Sequence, residues 1–285
     1  MLITEKTQLL GIIGNPIQHS LSPVIQNQAI ATLNLDYIYL PFLVKEDDLS
    51  KAFDCFKAIK LRGFNVTIPH KKNVIPFLKK VTETAEIIEA VNVVWLTEEG
   101  WHGTNTDIDG FLASFKKLSK DWHNITPLIL GNGGGGRAVT VGCSKLGCRE
   151  IKIVGRNLYK LRAFQERWNN YSFATKISIY HWDNLSELIP DSELIINATP
   201  IGMSPHIKNS PLTDLQISLI KQNTIVYDLI YTPSPTLFLQ QAQKQGAIII
   251  DGSEMLIQQG AIAFEIWTGK SAPIDIMLNS MLSKS

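Results

Sequence analysis

From residue 131 the chain reads Gly131-Asn132-Gly133-Gly134-Gly135-Gly136-Arg137-Ala138. Gly131, Gly133 and Gly136 satisfy the G-x-G-x-x-G spacing. Glycine at such positions lets the chain turn tightly and lets backbone N–H groups approach a pyrophosphate. A helix starting there directs its positive dipole end at the same charge. The motif alone is weak evidence, but here it follows an apolar run, 125–130, and precedes a helical pattern, 138–146. Readers of NAD place an acid roughly 20 residues further on, against the ribose 2′-hydroxyl. At that distance this chain has Gly155-Arg156-Asn157 and no acid. The Arg156 guanidinium suits a 2′-phosphate. The chemistry expected here is dinucleotide binding, with NADP favoured over NAD.

A second set of polar residues clusters in the first 110 positions. The stretch Gly14-Asn15-Pro16-Ile17-Gln18-His19-Ser20-Leu21-Ser22-Pro23 brings two hydroxyls to a helix start. Asn65-Val66-Thr67-Ile68-Pro69-His70-Lys71 puts a hydroxyl and an ammonium at the end of a strand. Glu89-Ala90-Val91-Asn92 and Gly103-Thr104-Asn105-Thr106-Asp107 add amides and a carboxylate. In open parallel sheets, ligands gather beyond the carboxyl ends of the strands. These clusters fall after strands or in loops, where a small-molecule ligand would gather. His19, His70 and His102 lie near them, but lack a partner at metal-ligand spacing. They are expected to serve loops and packing, and no metal is expected.

The elements that must carry these residues alternate. Residues 9–13, 37–44 and 63–68 read as strands, and 49–59 as a helix. Ser22 before Pro23 reads as an N-cap followed by proline at the first helical position. Residues 107–122 read as one helix, with Ile108, Phe111, Leu112, Phe115 and Leu118 on a common face. A second series has strands at 151–154, 177–181, 194–198, 225–229 and 247–250. Runs such as Leu194-Ile195-Ile196 suit strands buried on both faces. The last helix, 255–267, comes too late to be needed by the second sheet.

The fold class expected is therefore α/β with two domains. An N-terminal α/β substrate domain with a mainly parallel sheet spans 1–106. A Rossmann-type NADP-binding domain spans 107–251. Residues 252–285 return to complete the first domain.

Composition fits this plan. The 285 residues are 45% hydrophobic and 19% charged, a globular balance. The 27 basic and 26 acidic side chains nearly cancel, so no overall charge argues for nucleic acid or an anionic membrane. Cys55, Cys143 and Cys148 are odd in number and read as buried thiols in a reducing compartment. No apolar stretch reaches membrane-span length, and residues 1–6 lack the pattern of a leader. A cytoplasmic protein with a small-molecule substrate is expected.

These motifs together resemble the shikimate dehydrogenase family. The likeness runs in order through the segment 14–23, 65–71, Ala90-Val91-Asn92, Asn105-Thr106-Asp107 with Gly110, and the glycine loop. It continues through Asn197-Ala198-Thr199, Asp228 with Tyr231 and Thr236, and Gly252 with Met255, Leu256 and Gln259.

The resemblance implies residue roles. Ser20 and Ser22 would bind the substrate carboxylate. Thr67, Asn92, Asp107 and Gln259 would bind ring hydroxyls, and Tyr231 would line the pocket. Lys71 and Asp107 would form the catalytic pair. On the cofactor side, Glu83, Gly131, Asn132, Gly133, Gly134, Gly135, Gly155, Arg156, Asn157, Lys160, Leu229 and Gly252 match contact positions. The family usually has Asn-Arg-Thr where this chain has Gly155-Arg156-Asn157, which puts full NADP selectivity in question. It commonly has histidine where this chain has Gln26, and the sequence offers no physical account of that change.

The resemblance further implies NADPH-dependent, reversible reduction of 3-dehydroshikimate to shikimate, by a monomer or homodimer. An ammonium beside the ketone oxygen stabilises a developing alkoxide and donates its proton. A neighbouring carboxylate orients that ammonium and keeps it charged. Three rival readings stand beside this one. A quinate/shikimate dehydrogenase of broader specificity is disfavoured by the paired serines. A non-catalytic NADP-binding regulator would not need both Lys71 and Asp107. A two-domain dehydrogenase acting on a folate lacks the Ser20/Ser22 and 105–107 motifs.

Overall fold

A computed structural model describes residues 3–116, 118–171 and 173–283. Met1 and Leu2, on which part of the leader expectation rested, lie outside them. In chain order the first elements are β1 (Gln8–Gly14), α1 (Ser22–Thr32), β2 (Tyr37–Leu43) and α2 (Leu49–Ala58). Then come β3 (Gly63–Val66), β4 (Lys80–Val81), α3 (Glu83–Ile88), β5 (Val93–Thr97) and β6 (Gly100–Thr104). The next series is α4 (Asp107–Ala113), β7 (Pro127–Leu130), α5 (Gly134–Leu146), β8 (Glu150–Gly155), α6 (Leu158–Asn169) and β9 (Lys176–His181). It continues through α7 (Leu185–Leu188), β10 (Leu194–Asn197), α8 (Asp214–Ile217), β11 (Ile225–Asp228), α9 (Leu237–Lys244) and β12 (Ile248–Ile250). Helices α10 (Ser253–Thr268) and α11 (Ile274–Leu282) close the chain.

The chain divides into two compact units, 1–106 with 257–285, and 107–256. The second division falls inside α10, five residues beyond the expected Gly252.

The first unit holds a six-stranded sheet in the order β2-β1-β3-β5-β6-β4. Strands β2, β1 and β3 run parallel, while β5 is antiparallel to both β3 and β6. The expected sheet was mainly parallel. It is so: β4 also pairs parallel with β6, and among the described strands only β5, in a β5–β6 hairpin that the sequence did not mark as strands, runs against its neighbours. The hairpin's strands, Val93–Thr97 and Gly100–Thr104, alternate too little to register as a pattern. Phe53, Phe56, Phe64, Val66 and Trp101 form the core beneath this sheet. The α10 indole of Trp267 is buried and donates from Nε1 to the Val94 carbonyl at 3.0 Å, tying the late helix into this unit.

The second unit holds a wholly parallel sheet in the order β12-β11-β10-β7-β8-β9. Relabelled from β7, this is the 3-2-1-4-5-6 order of a Rossmann fold, reversing direction between β7 and β10. Leu128, Leu130, Val154, Ile195, Val226, Phe238 and Leu239 make its core.

Three local expectations need correction. The 107–122 helix ends as α4 at Ala113. Beyond it Phe115, Lys116 and Leu118 bond three residues back, to Leu112, Ala113 and Phe115. This tighter winding lays the buried Phe115 ring over Tyr227, stacked at 5.6 Å. Lys117, within the expected helix, lies outside the described residues. The second correction concerns α5, which begins at Gly134 rather than 138, so three of the loop glycines are helical. The third concerns Ser22, which is the first residue of α1 and not its cap. Leu21 holds that position with no side-chain bond.

Candidate active site

In the first unit, parallel pairing brings the carboxyl ends of β1 and β3 side by side. The loops beyond them are stitched together: Thr67 N donates to Ile13 O, and Asn15 N to Ile68 O, both at 3.0 Å. Thus the serine loop and the Thr67–Lys71 loop start from adjacent strand ends. Ser20 and Ser22 lie within hydrogen-bond range, Ser22 N donating to Ser20 Oγ at 3.3 Å. Both sit at the start of α1, where the helix dipole favours an anion.

The lysine loop is held from three sides. Val91 N donates to Lys71 O at 2.7 Å, and His70 N to Thr67 O at 2.9 Å. The fully buried His70 ring donates from Nε2 to Val44 O at 2.8 Å, since a carbonyl only accepts. His70 therefore packs and latches the loop. Lys72, adjacent and exposed, pairs with Glu89 at 3.0 Å. Lys71 is half-buried.

Asn92 lies just before β5 and is buried. Its Oδ1 accepts from Thr106 N at 2.8 Å. Its Nδ2 donates to Thr106 Oγ1 at 3.1 Å and to Gln259 Oε1 at 3.3 Å. Thr106 Oγ1 donates to Gln259 O at 3.0 Å. Two residues assigned to ring hydroxyls, Asn92 and Gln259, are thus in one network. Thr106 is its hinge, and sequence reasoning gave it no role of its own. Its signal was position alone, between Asn105 and Asp107.

A further chain runs from Tyr39, whose hydroxyl donates to Asn65 Oδ1 at 2.7 Å, to Asn92 O through Asn65 Nδ2 at 3.1 Å. Burial pushes the Tyr39 hydroxyl well above the ordinary tyrosine range, against a smaller opposing hydrogen bond with Ser22. Tyr39 remains a neutral hydrogen-bonding group beside the serine loop. Glu83 opens α3 and is exposed.

In the second unit the glycine turn follows β7, at the point where strand order reverses. Gly131 has φ +103°, a conformation that excludes most side chains, and its N–H donates to Val154 O at 2.8 Å. A Cβ on Gly136 would collide with the Gly131 carbonyl. The turn therefore closes on itself and leaves a cradle of backbone N–H groups at the α5 start. Gly133 faces open space, with nothing within 4 Å of a built Cβ. Asn132 Nδ2 donates to Lys160 O at 3.2 Å, while its buried Oδ1 lacks a partner among the described residues. The cradle and the open side of Gly133 fit a dinucleotide pyrophosphate.

Arg156 follows β8 and is exposed. Asn157 caps α6, its Oδ1 accepting from Lys160 N at 3.0 Å. Its Oδ1 is therefore spent on the helix. Leu229 packs 3.0 Å from a Cβ built on Gly135, and Gly252 lies against the Leu229 carbonyl too closely for any Cβ. Gly131, Gly135, Asn132, Asn157, Lys160, Leu229 and Gly252 thus share one end of the sheet. Tyr231 is half-buried, and burial raises its hydroxyl above the ordinary value.

Beneath this end lies a polar knot. Buried Asp228 accepts from Thr236 Oγ1 at 2.7 Å, Asn197 Nδ2 at 3.0 Å and Ile230 N at 3.1 Å. Burial nonetheless pushes its carboxyl up to about 6, those three bonds opposing and Asp251 adding to the rise. Asp107 opens α4 and is buried. A carboxylate at a helix start is favoured by the dipole. Among the described residues no cluster of three His, Cys, Asp or Glu side chains could hold a metal. None of their helices is long and apolar enough to cross a membrane.

A Rossmann sheet with a glycine turn at its reversal point, joined to a separate α/β unit rich in hydroxyl and amide groups, defines a two-unit nicotinamide-dinucleotide oxidoreductase. Residues 12–94 match the shikimate dehydrogenase substrate binding domain, and residues 252–282 the shikimate 5′-dehydrogenase C-terminal domain. The chain is 53% identical over 280 residues to shikimate dehydrogenase (NADP(+)) of Gloeothece citriformis, covering 98% of this chain and 97% of that one. A solved shikimate 5-dehydrogenase from Listeria monocytogenes, in complex with shikimate and NAD, superposes with TM-score 0.87 at 34% identity over 98% of both chains. The ligand-free 5-ketofructose reductase of a Gluconobacter strain gives 0.86 at 30% identity, over 99% of this chain and all of that one. The chain belongs to the shikimate dehydrogenase family.

Proposed function

We propose that the protein is an NADP-dependent oxidoreductase that interconverts 3-dehydroshikimate and shikimate in the route to chorismate and the aromatic amino acids. The observation that carries this reading is identity of 53% across 98% of the chain with a shikimate dehydrogenase (NADP(+)). NADPH, when bound, supplies the hydride.

The chain's own residues do the rest. The 131–136 cradle and the start of α5 would hold the pyrophosphate, and Arg156 the 2′-phosphate. Asn132, Asn157, Lys160, Leu229 and Gly252 would shape the same end of the sheet, with Glu83 a further cofactor contact. Ser20 and Ser22 would take the substrate carboxylate. Thr67, Asn92 and Gln259 would hydrogen-bond ring hydroxyls, and Tyr231 would line the pocket. Lys71 would donate a proton to the carbonyl oxygen as it becomes an alcohol, and stabilise the charge gathering there. Asp107 would accept from a ring hydroxyl and complete the catalytic pair. In oxidation the roles reverse, neutral Lys71 taking the hydroxyl proton. We further propose a cytoplasmic enzyme, monomeric or homodimeric, with residues 1–106 and the chain's end as the substrate domain.

The test is product identification. Purified protein given shikimate and NADP should yield 3-dehydroshikimate and NADPH in equal amounts, read by mass spectrometry and absorbance. Folded protein that binds NADPH without turnover would support the regulator instead.

A further inference from the structure

Gln26 lies one turn beyond Ser22 on α1 and is 1% exposed. Its Nε2 donates to Gly260 O at 2.9 Å, across 234 positions of sequence. Gly260 directly follows Gln259 on α10, and a Cβ built on Gly260 would stand 3.3 Å from that same Nε2. Gln259 in turn receives Thr106 Oγ1 on its backbone carbonyl and Asn92 Nδ2 on its side chain. Consecutive carbonyls of α10, at 259 and 260, are thus gripped from two directions by Thr106 and Gln26. This fixes the rotation and height of the helix at the turn that bears the Gln259 side chain.

The other end of Gln26 is informative. Its Oε1 is buried without a hydrogen-bond partner among the described residues. A buried acceptor left unpaired costs stability, and an apolar side chain of equal length would avoid that cost. Gln26 is therefore a poor choice for folding alone and a good one for holding Gly260.

We infer that Gln26 is a positioning residue for substrate recognition, setting the Gln259 amide through its grip on Gly260. The inference rests on the proposed function and deepens it. Gln26 touches no reacting group, so it acts on affinity for the ring and not on the proton-transfer step. Gln26 hydrogen-bonds to Gly260 and to none of the proposed cofactor residues, so cofactor affinity is untouched.

The experiment is a double-mutant cycle on the whole enzyme, with Gln26→Met, Gln259→Leu and the double variant. Gln26→Met should raise the KM for shikimate about tenfold, equivalent to 1.4 kcal/mol. It should leave the KM for NADP and the melting temperature unchanged, or raise the latter. The double variant should match Gln259→Leu alone, because the same contact is lost once. Gln26→Leu repeats the measurement with a shorter apolar chain, should the methionine variant fold poorly. Fold-changes in KM that multiply in the double variant would overturn the inference while leaving the function intact. So would a shikimate KM unchanged in Gln26→Met. A wild-type chain that neither binds nor oxidises shikimate would overturn the functional reading, and this inference with it.

Discussion

Two side chains carry the chemistry most exposed to test. Lys71 is held by its backbone and by the latched ring of His70, so its truncation should not disturb the loop. Lys71→Ala should lower kcat by roughly 10²–10⁴ and change shikimate KM less, as expected for a lost acid–base group. Unchanged turnover would remove Lys71 from the mechanism. Arg156 is exposed, beside Asn157, whose Oδ1 caps α6. Arg156→Ala should weaken NADP, but not NAD, by about tenfold to a hundredfold, the worth of charge-assisted hydrogen bonds. Equal losses for both cofactors would mean Arg156 does not read the phosphate. At this scale the sequence was informative where residue type dictates backbone conformation, as at Gly131 with its positive φ. It was silent on Thr106 and Gln26. A threonine or glutamine is unremarkable until the fold brings a carbonyl from position 259 or 260 against it.

The elements that position these residues were legible where their pattern is local. Both-faces-buried strands such as β10 and β11 read as apolar runs, and the cradle read as glycine spacing. The β5–β6 hairpin did not, because the short apolar run Val93-Val94-Trp95-Leu96 fits strand or helix alike and β6 is interrupted by Gly100 and Gly103. The end of α4 was also hidden: its apolar period continues past Ala113, while Phe115 turns inward onto Tyr227. The knot under β10 and β11 yields a pH prediction. Folding raises Asp228 from the ordinary value of about 4 to about 6, so between those pH values the folded chain keeps a proton that the unfolded chain has lost. This group's contribution therefore falls as pH rises through that window. From about pH 4 to pH 7, wild type should lose up to about 3 kcal/mol relative to Asp228→Asn, measured by denaturant unfolding. Parallel curves for the two proteins would contradict the assignment. On α10, Trp267→Ala should cost about 3–5 kcal/mol, since it empties a buried indole site and leaves Val94 O without its donor. A loss below about 1 kcal/mol, typical of a surface change, would show that the late helix does not anchor the first unit.

At the scale of the whole molecule, the chain leaves its first unit, builds a complete Rossmann unit, and returns. The return is forced by burial. The second sheet already has its helices, and the apolar residues after 256, among them Ile257, Phe264 and Trp267, are buried with the first unit. The exact crossing point was not legible, because α10 runs unbroken through it. Near-zero net charge and an abundance of hydroxyls and amides agree with a small polar substrate, while the choice of that substrate rests on the Ser20/Ser22 pair and the amide network together. The direct measurement is kcat/KM for oxidation of shikimate and quinate, each with NADP and with NAD. Efficient turnover is expected for shikimate with NADP, and much weaker turnover for the other three combinations. Quinate oxidised as fast as shikimate, or no turnover at all, would contradict this reading.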